Sequence, residues 1–443
     1  MIYIQQSDLE KMLLDFSKDI DDSYLDNLCI KLNNTRRYSR LVAKYVIDKD
    51  IYNNIDYSKS KEGFIDVIDM FSGCGGMSIG FKLVSHLFPS YRLVTAIDID
   101  ENANKTYEKN FGISPIQMDI KNLLENEDVF NDFVKKYRSD LNKPLVLIGC
   151  APCQGFSSHR KREKKKDERN SLVEVFAKVA VRLNPTFIIM ENVPELLSKK
   201  HWEHFSAFKE VLVDKGYYVR AQIVNTAEYG VPQERYRALV IASKREFFMP
   251  TGFLSKNEFN TVRKAIGELP PIEPGKPHKD DLLHVTSKHH PSTIEIISQV
   301  PKDGGNRPKH IGPNWYHDVY GRLSWDKPSV TITTCARNPA SGRYVHPEQN
   351  RGLSMREVAL LQSFPKHFDF VGNLGSIYTQ IGNAVPPRFS IYLAIHILGE
   401  LLSEDIPANV YEDDKKFDID SPIPNSFASI VENSKKKEGM ENE

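Results

Sequence analysis

Three settings in this chain hold residues of the kind that do covalent chemistry. The first is Cys153, in Ile148-Gly149-Cys150-Ala151-Pro152-Cys153-Gln154-Gly155. The apolar run Pro144–Ile148 reads as a buried parallel strand. The break at Ala151-Pro152 puts the Cys153 thiol at its carboxyl end, where α/β sheets keep ligands and reacting groups. A thiolate is a nucleophile, and nearby positive charge favours it. Such charge follows at once: Arg160 to Arg169 holds seven basic and three acidic residues. A charge run is ordinarily a solvated face. Next to a nucleophile it suits a loop that grips a polyanion. The second setting is Glu191, in Glu191-Asn192-Val193-Pro194, a carboxylate ending the strand Thr186–Met190 and suited to acid/base work. The third is Gln233-Glu234-Arg235-Tyr236-Arg237, where strand alternation puts an amide and two guanidiniums on one face.

A ligand cradle precedes these groups. A strand from Phe64 to Phe71 enters Ser72-Gly73-Cys74-Gly75-Gly76, a turn that opens a helix. A second strand, Tyr91 to Asp100, carries Asp98 about 25 positions beyond the glycines, the arrangement that offers a carboxylate to ribose hydroxyls. A short run, Pro115 to Ile120, again brings an aspartate, Asp119. Each carboxylate alone is more simply a helix cap or loop end. Together the strand ends predict a nucleoside site.

These pieces need an α/β fold with a doubly wound, mostly parallel sheet. The chain has 443 residues and zero formal net charge, so nucleic-acid binding must come from local patches. Five scattered cysteines suggest a reducing compartment. No apolar run reaches bilayer length, and a cytoplasmic protein without a membrane partner is expected. Residues 1–62 read as a helical extension and 63–243 as the catalytic and cofactor-binding domain. Residues 244–321 form a loop-rich insertion, and 322–403 return to the first domain. Within the return, a strand is expected at Pro328–Thr334 and a capping box at Ser354 and Glu357. Residues 404–443 read as a disordered acidic tail. The histidines of the insertion lack ligand spacing, so no metal is expected.

Five blocks, in this order, resemble the DNA (cytosine-5)-methyltransferase family of the bacterial restriction–modification type. They are Asp69–Gly76, Pro152-Cys153-Gln154, Glu191-Asn192-Val193, Gln233-x-Arg235-x-Arg237 and Gly382-Asn383-Ala384-Val385-Pro386. The resemblance spans roughly Asp66 to Leu398 and implies a Rossmann-like fold dependent on S-adenosylmethionine. It implies that Cys153 adds to carbon 6 of a flipped-out cytosine. Glu191, protonated, would serve ring nitrogen 3, while Arg235 and Arg237 would orient the base. Phe71, Gly73, Gly75, Gly76, Asp98, Ile99, Asp119, Ile120, Leu172, Asn383 and Val385 would line the cofactor. Gln154, Ser157, Arg160, Lys161, Arg162 and Gln233 would contact double-stranded DNA. The insertion becomes a target-recognition domain. The protein is expected to be a monomer, found on the nucleoid when bound to DNA, with any cognate restriction endonuclease acting separately. Asp98 stands where the family often has glutamate, and Met118 where it often has glycine.

Other readings are weaker. The family's tRNA-acting branch has a Cys-Phe-Thr element, and 244–322 contain no cysteine. The glycine spacing is wrong for a nicotinamide enzyme. Cys150-x-x-Cys153 lacks a thioredoxin-like context, and Cys150 is better read as a small buried residue.

Overall fold

The computed structural model describes residues 34–59, 63–140, 142–152, 172–311, 318–403, 414–415 and 418–424. Seven strands form one sheet: β1 (Ile65–Met70), β2 (Tyr91–Asp98), β3 (Ile116–Gln117), β4 (Leu145–Gly149), β5 (Phe187–Asn192), β6 (Tyr218–Asn225) and β7 (Tyr236–Ser243). Their order is β3-β2-β1-β4-β5-β7-β6. β1 to β5 pair in parallel, and β7 runs antiparallel to both β5 and β6. The strand order reverses between β1 and β4, so a crevice opens outside their carboxyl ends.

The strands are apolar runs rather than alternating ones because both faces are covered. Val67, Ile148, Ile189 and Ile241 point to one core, and Ile68, Leu147, Met190 and Val240 to the other. The first core is closed by α1 (Asn34–Asp48), α2 (Gly76–Leu87) and, from late in the chain, α10 (Pro387–Leu402). The second is closed by α4 (Glu127–Tyr137), α5 (Leu172–Leu183) and α6 (Trp202–Val213). Between β2 and β3 runs α3 (Glu101–Phe111), capped by the Asp100 side chain. The later helices α7 (Pro291–Ser298), α8 (Met355–Leu361) and α9 (Leu374–Asn383) precede α10. At α8, Ser354 and Glu357 form the expected capping box. Among the described residues, no helix is long and apolar enough to cross a membrane.

Several expectations need correction. The described part of the N-terminal extension is not an appendage. Val46 and Ile47 are core residues, and Arg388 of α10 donates to the Tyr52 hydroxyl, Asp50 and the Gly230 carbonyl. Part of the acidic tail is also docked. Ile419 N donates to Ala221 O on the edge strand β6, Ile423 bridges Ser198, and Asp414 and Asp418 pair with buried Arg220. Hydrogen bonds to a sheet edge and a buried cation hold a segment that composition alone reads as disordered. Pro328–Thr334 is not a strand. It touches the chain through one bridge, Ser329 to Gln233, and then bonds to side chains. In the expected insertion, Phe253, Val262 and Ile266 belong to the first core, so the segment joins the main body before departing from it.

Candidate active site

The site is built at the carboxyl ends of β1, β2, β4 and β5. Glu191 lies inside β5 rather than just beyond it, and it is buried. Arg237 lies in β7, diagonal to Glu191 on the same face of the antiparallel pair. Arg237 Nε stands 2.9 Å from Glu191 Oε1. That approach does not have hydrogen-bond alignment, and Oε1 has no hydrogen-bond partner among the described residues. Arg237 also donates to the Tyr236 carbonyl at 2.7 Å. A buried carboxyl with one guanidinium beside it and an oxygen still able to bond is equipped to meet a polar ligand.

Asn192, the next residue, reaches across to β4. Its Nδ2 donates to Ala151 O at 3.2 Å, and its Oδ1 accepts from Val193 N at 2.8 Å. The turn Ala151-Pro152, which leads directly into Cys153, is thereby tied to the strand carrying Glu191. Nothing in the sequence marks this role of Asn192, because an asparagine at a strand end signals only a turn. Cys150 packs partly buried against the first core, and burial raises its thiol well above the ordinary range. Cys153, Gln154, Ser157, Arg160, Lys161 and Arg162 lie outside the described residues.

The glycine turn has the geometry of a cradle. Phe71, at the end of β1, adopts φ 59°, an uncommon left-handed conformation for a bulky residue. It meets Phe176 edge-on, with ring centroids 6.2 Å apart. Gly73 has φ +51°, and a Cβ there would meet nothing within 4 Å. The Gly73 amide donates to Asp98 Oδ2 at 2.7 Å, and the Asp100 amide donates to Oδ1 at 2.9 Å. Burial raises the Asp98 pKa against the opposing effect of these bonds. Beside it, Ile99 is 69% exposed, unusual for a large apolar side chain at a strand end. The hydroxyl of Ser72 is buried without a hydrogen-bond partner among the described residues.

The other expected cofactor residues divide. Asp119 is exposed, and one oxygen accepts from Lys121 N at 3.0 Å. Ile120 and Leu172 sit in the second core. Asn383 is exposed at the end of α9. Val385 is buried, and a Cβ on Gly76 would lie 2.4 Å from the Val385 carbonyl. The late block therefore backs the glycine turn directly.

Gln233 and Arg235 differ from expectation. Gln233 is fully buried: its Nε2 donates to Gln362 Oε1 at 2.6 Å, and its Oε1 accepts from Ile332 N at 2.8 Å. It is not placed to touch DNA. Arg235 is 2% exposed and donates to the carbonyls of Ile332, Gly382 and Ala384. Alternation groups the three side chains on one side. It could not show that only Arg237 meets the carboxyl, because the partners of the other two come from residues about a hundred or more positions later.

A family model described as C-5 cytosine-specific DNA methylase matches residues 65–398. The Type II methylase M.HgiDII of Herpetosiphon aurantiacus is 34% identical over 340 residues, covering 72% of this chain and 91% of its own. A Type II methyltransferase of Haemophilus parahaemolyticus is 34% identical over 339 residues, 75% of this chain and 86% of its own. Among solved structures, a proposed DNA modification methyltransferase encoded within an E. coli prophage shares the fold. It has a TM-score of 0.60 and 24% identity, over 76% of this chain and 100% of that one.

Proposed function

The chain belongs to the C-5 cytosine-specific DNA methylases, and from that premise we propose how its own residues divide the work. The reaction is methylation of carbon 5 of cytosine in DNA, as for the modification enzymes of Type II restriction–modification systems. The observation that carries the assignment of residues is the Glu191–Arg237 pair. It joins β7 to β5, the strand that Asn192 ties to the turn leading into Cys153.

Carbon 5 of cytosine is a weak nucleophile. Cys153 adds through sulfur to carbon 6, and Glu191, protonated, donates to ring nitrogen 3, so the ring becomes an enamine. Arg237 holds Glu191 and stabilises negative charge at the base carbonyl. The cofactor proposed is S-adenosylmethionine, which when bound supplies an electrophilic methyl group. The open space over Gly73, the Asp98 carboxylate, the exposed Ile99 face and the buried Ser72 hydroxyl fit an adenosyl group. Phe71, Gly75, Gly76, Asp119 and Asn383 complete that wall. Loss of the carbon 5 proton then allows Cys153 to leave and the double bond to return. A cytosine inside a duplex is out of reach of such a pocket, so the base must flip out.

The substrate proposed is a specific double-stranded sequence read by residues 244–321. Gln154, Ser157, Arg160, Lys161 and Arg162 meet its backbone. A cognate restriction endonuclease would act as a separate protein. The test is transfer of tritium from labelled S-adenosylmethionine to DNA, repeated with Cys153→Ser. Transfer to DNA that disappears in the variant supports the reading, and absence of transfer by the unaltered protein under conditions where it binds DNA overturns it.

A further inference from the structure

The geometry points to Arg235 as a positioning residue for the methyl donor rather than a contact to the cytosine. The inference rests on the reading of the site as a cytosine methyltransferase. Arg235 Nη1 donates to Ile332 O at 3.0 Å. Its Nη2 donates to Gly382 O at 3.1 Å and Ala384 O at 3.2 Å. The guanidinium is buried, and to reach a base it would have to give up its hydrogen bonds to three main-chain carbonyls.

Those carbonyls belong to the wall behind the donor. Gly382 and Ala384 flank the end of α9, and the next residue, Val385, presses its carbonyl on Gly76. Gly76 is the first residue of α2, the helix that the glycine turn opens. There is no slack on the other side: a Cβ on Gly382 would lie 2.4 Å from Thr334 N. Gln362 donates to the Ala384 carbonyl at 2.6 Å, and Gln233 joins Gln362 to Ile332 N. Interiors this close-packed transmit a displacement rather than absorb it. Arg235 and its two glutamines therefore set where Gly382–Val385 rest against the turn that receives the donor. Two residues on, inside β7, Arg237 faces Glu191. Arg235, just before that strand, and Arg237, within it, thus serve one reactant each.

Lysine offers its donors from one nitrogen rather than from two spread over a rigid planar fork, so Arg235→Lys loosens the clamp and keeps the charge. Gln362→Met removes the second donor to Ala384 and leaves Arg235 in place. Two measurements on the full chain separate the roles. One is calorimetric titration with S-adenosylhomocysteine. The other is release of tritium from DNA labelled at cytosine carbon 5, with no cofactor present. In that exchange Cys153 adds to carbon 6, carbon 5 takes a proton from water and gives its tritium to water, and Cys153 leaves. We expect both variants to bind S-adenosylhomocysteine about ten-fold or more weakly, while exchange stays within about two-fold of the unaltered protein. Loss of exchange with binding intact, or equal losses in both, overturns the inference. If Arg235→Lys does not fold, as judged by its thermal transition, Gln362→Met decides alone. An unaltered protein that neither exchanges nor transfers would remove the functional reading itself, a result distinct from failure of the variants.

Discussion

Arg237 and Glu191 meet across two antiparallel strands that are far apart in sequence, with Nε 2.9 Å from Oε1. The contact is a diagonal pair on one face of the sheet, and both side chains are largely withdrawn from water. Such a carboxyl is held in place without having all its bonding capacity used. Glu191→Gln keeps the shape and loses the acid. Methyl transfer should fall about 10²- to 10³-fold, with DNA affinity little changed. Arg237→Ala should lower kcat by a similar order. Single-turnover kinetics with saturating DNA and cofactor check both, and an unchanged kcat in Glu191→Gln would contradict its role.

The glycines of the turn should separate by readout. At Gly73 an added side chain enters open space but must take φ +51°, so Gly73→Val should fold with a melting temperature lowered by backbone strain and fail to bind S-adenosylhomocysteine. At Gly75 a Cβ would lie 2.2 Å from Phe111 Cε2 at φ +93°, so Gly75→Val should lower the melting temperature further. Calorimetry and thermal melting on the two variants give the comparison. A Gly73→Val protein that binds normally would mean that the space is not the cofactor's.

Asp69 lies beneath the cradle, and burial pushes its pKa up to about 8. Ser78 Oγ donates to its Oδ2 at 2.5 Å and is itself 2.7 Å from the Tyr107 hydroxyl. The folded state therefore holds a proton that the unfolded chain releases near the ordinary aspartate value of 3.8. Between these values the folded form binds more protons, so stability falls as pH rises through the window. Asp69→Asn should flatten that fall. Denaturant titrations at several pH values in this range will show it, and identical slopes for both proteins would refute it.

Arg351 and Glu357 form a fully buried bidentate pair, at 2.8 and 2.7 Å. Burial alone would raise the Glu357 pKa, but Arg351 brings it to about 2. The stabilisation is present above the ordinary value of 4.5 and lost as pH falls toward 2. Arg351→Met leaves a buried carboxylate without its partner and should cost about 3–5 kcal/mol by denaturant unfolding. A loss below about 1 kcal/mol would show that the site relaxes or admits water.

Much of the site was legible because its residues lie at strand ends, and strand ends can be read from apolar runs. Glu191, Asp98 and the glycine turn were found in this way. What stayed hidden depends on contacts between distant segments. Nothing local distinguishes Arg235, held by Gly382 and Ala384, from Arg237, two positions on. Ile332 looked like a strand residue because Val330, Thr331 and Ile332 favour β structure, yet its amide and carbonyl go to the Gln233 and Arg235 side chains. The tail misled for the same reason: Arg220, on β6, binds Asp414 and Asp418 from nearly two hundred residues away.

The central claim is a covalent bond between Cys153 and carbon 6 of cytosine. It is tested most directly with DNA carrying 5-fluorocytosine, where carbon 5 has no proton to lose and Cys153 cannot be expelled. Incubation with S-adenosylmethionine, proteolysis and mass spectrometry should find one peptide, containing Cys153, that carries the methylated fluorinated nucleotide. Methylation of ordinary DNA with no such adduct, or an adduct on another residue, would contradict the account.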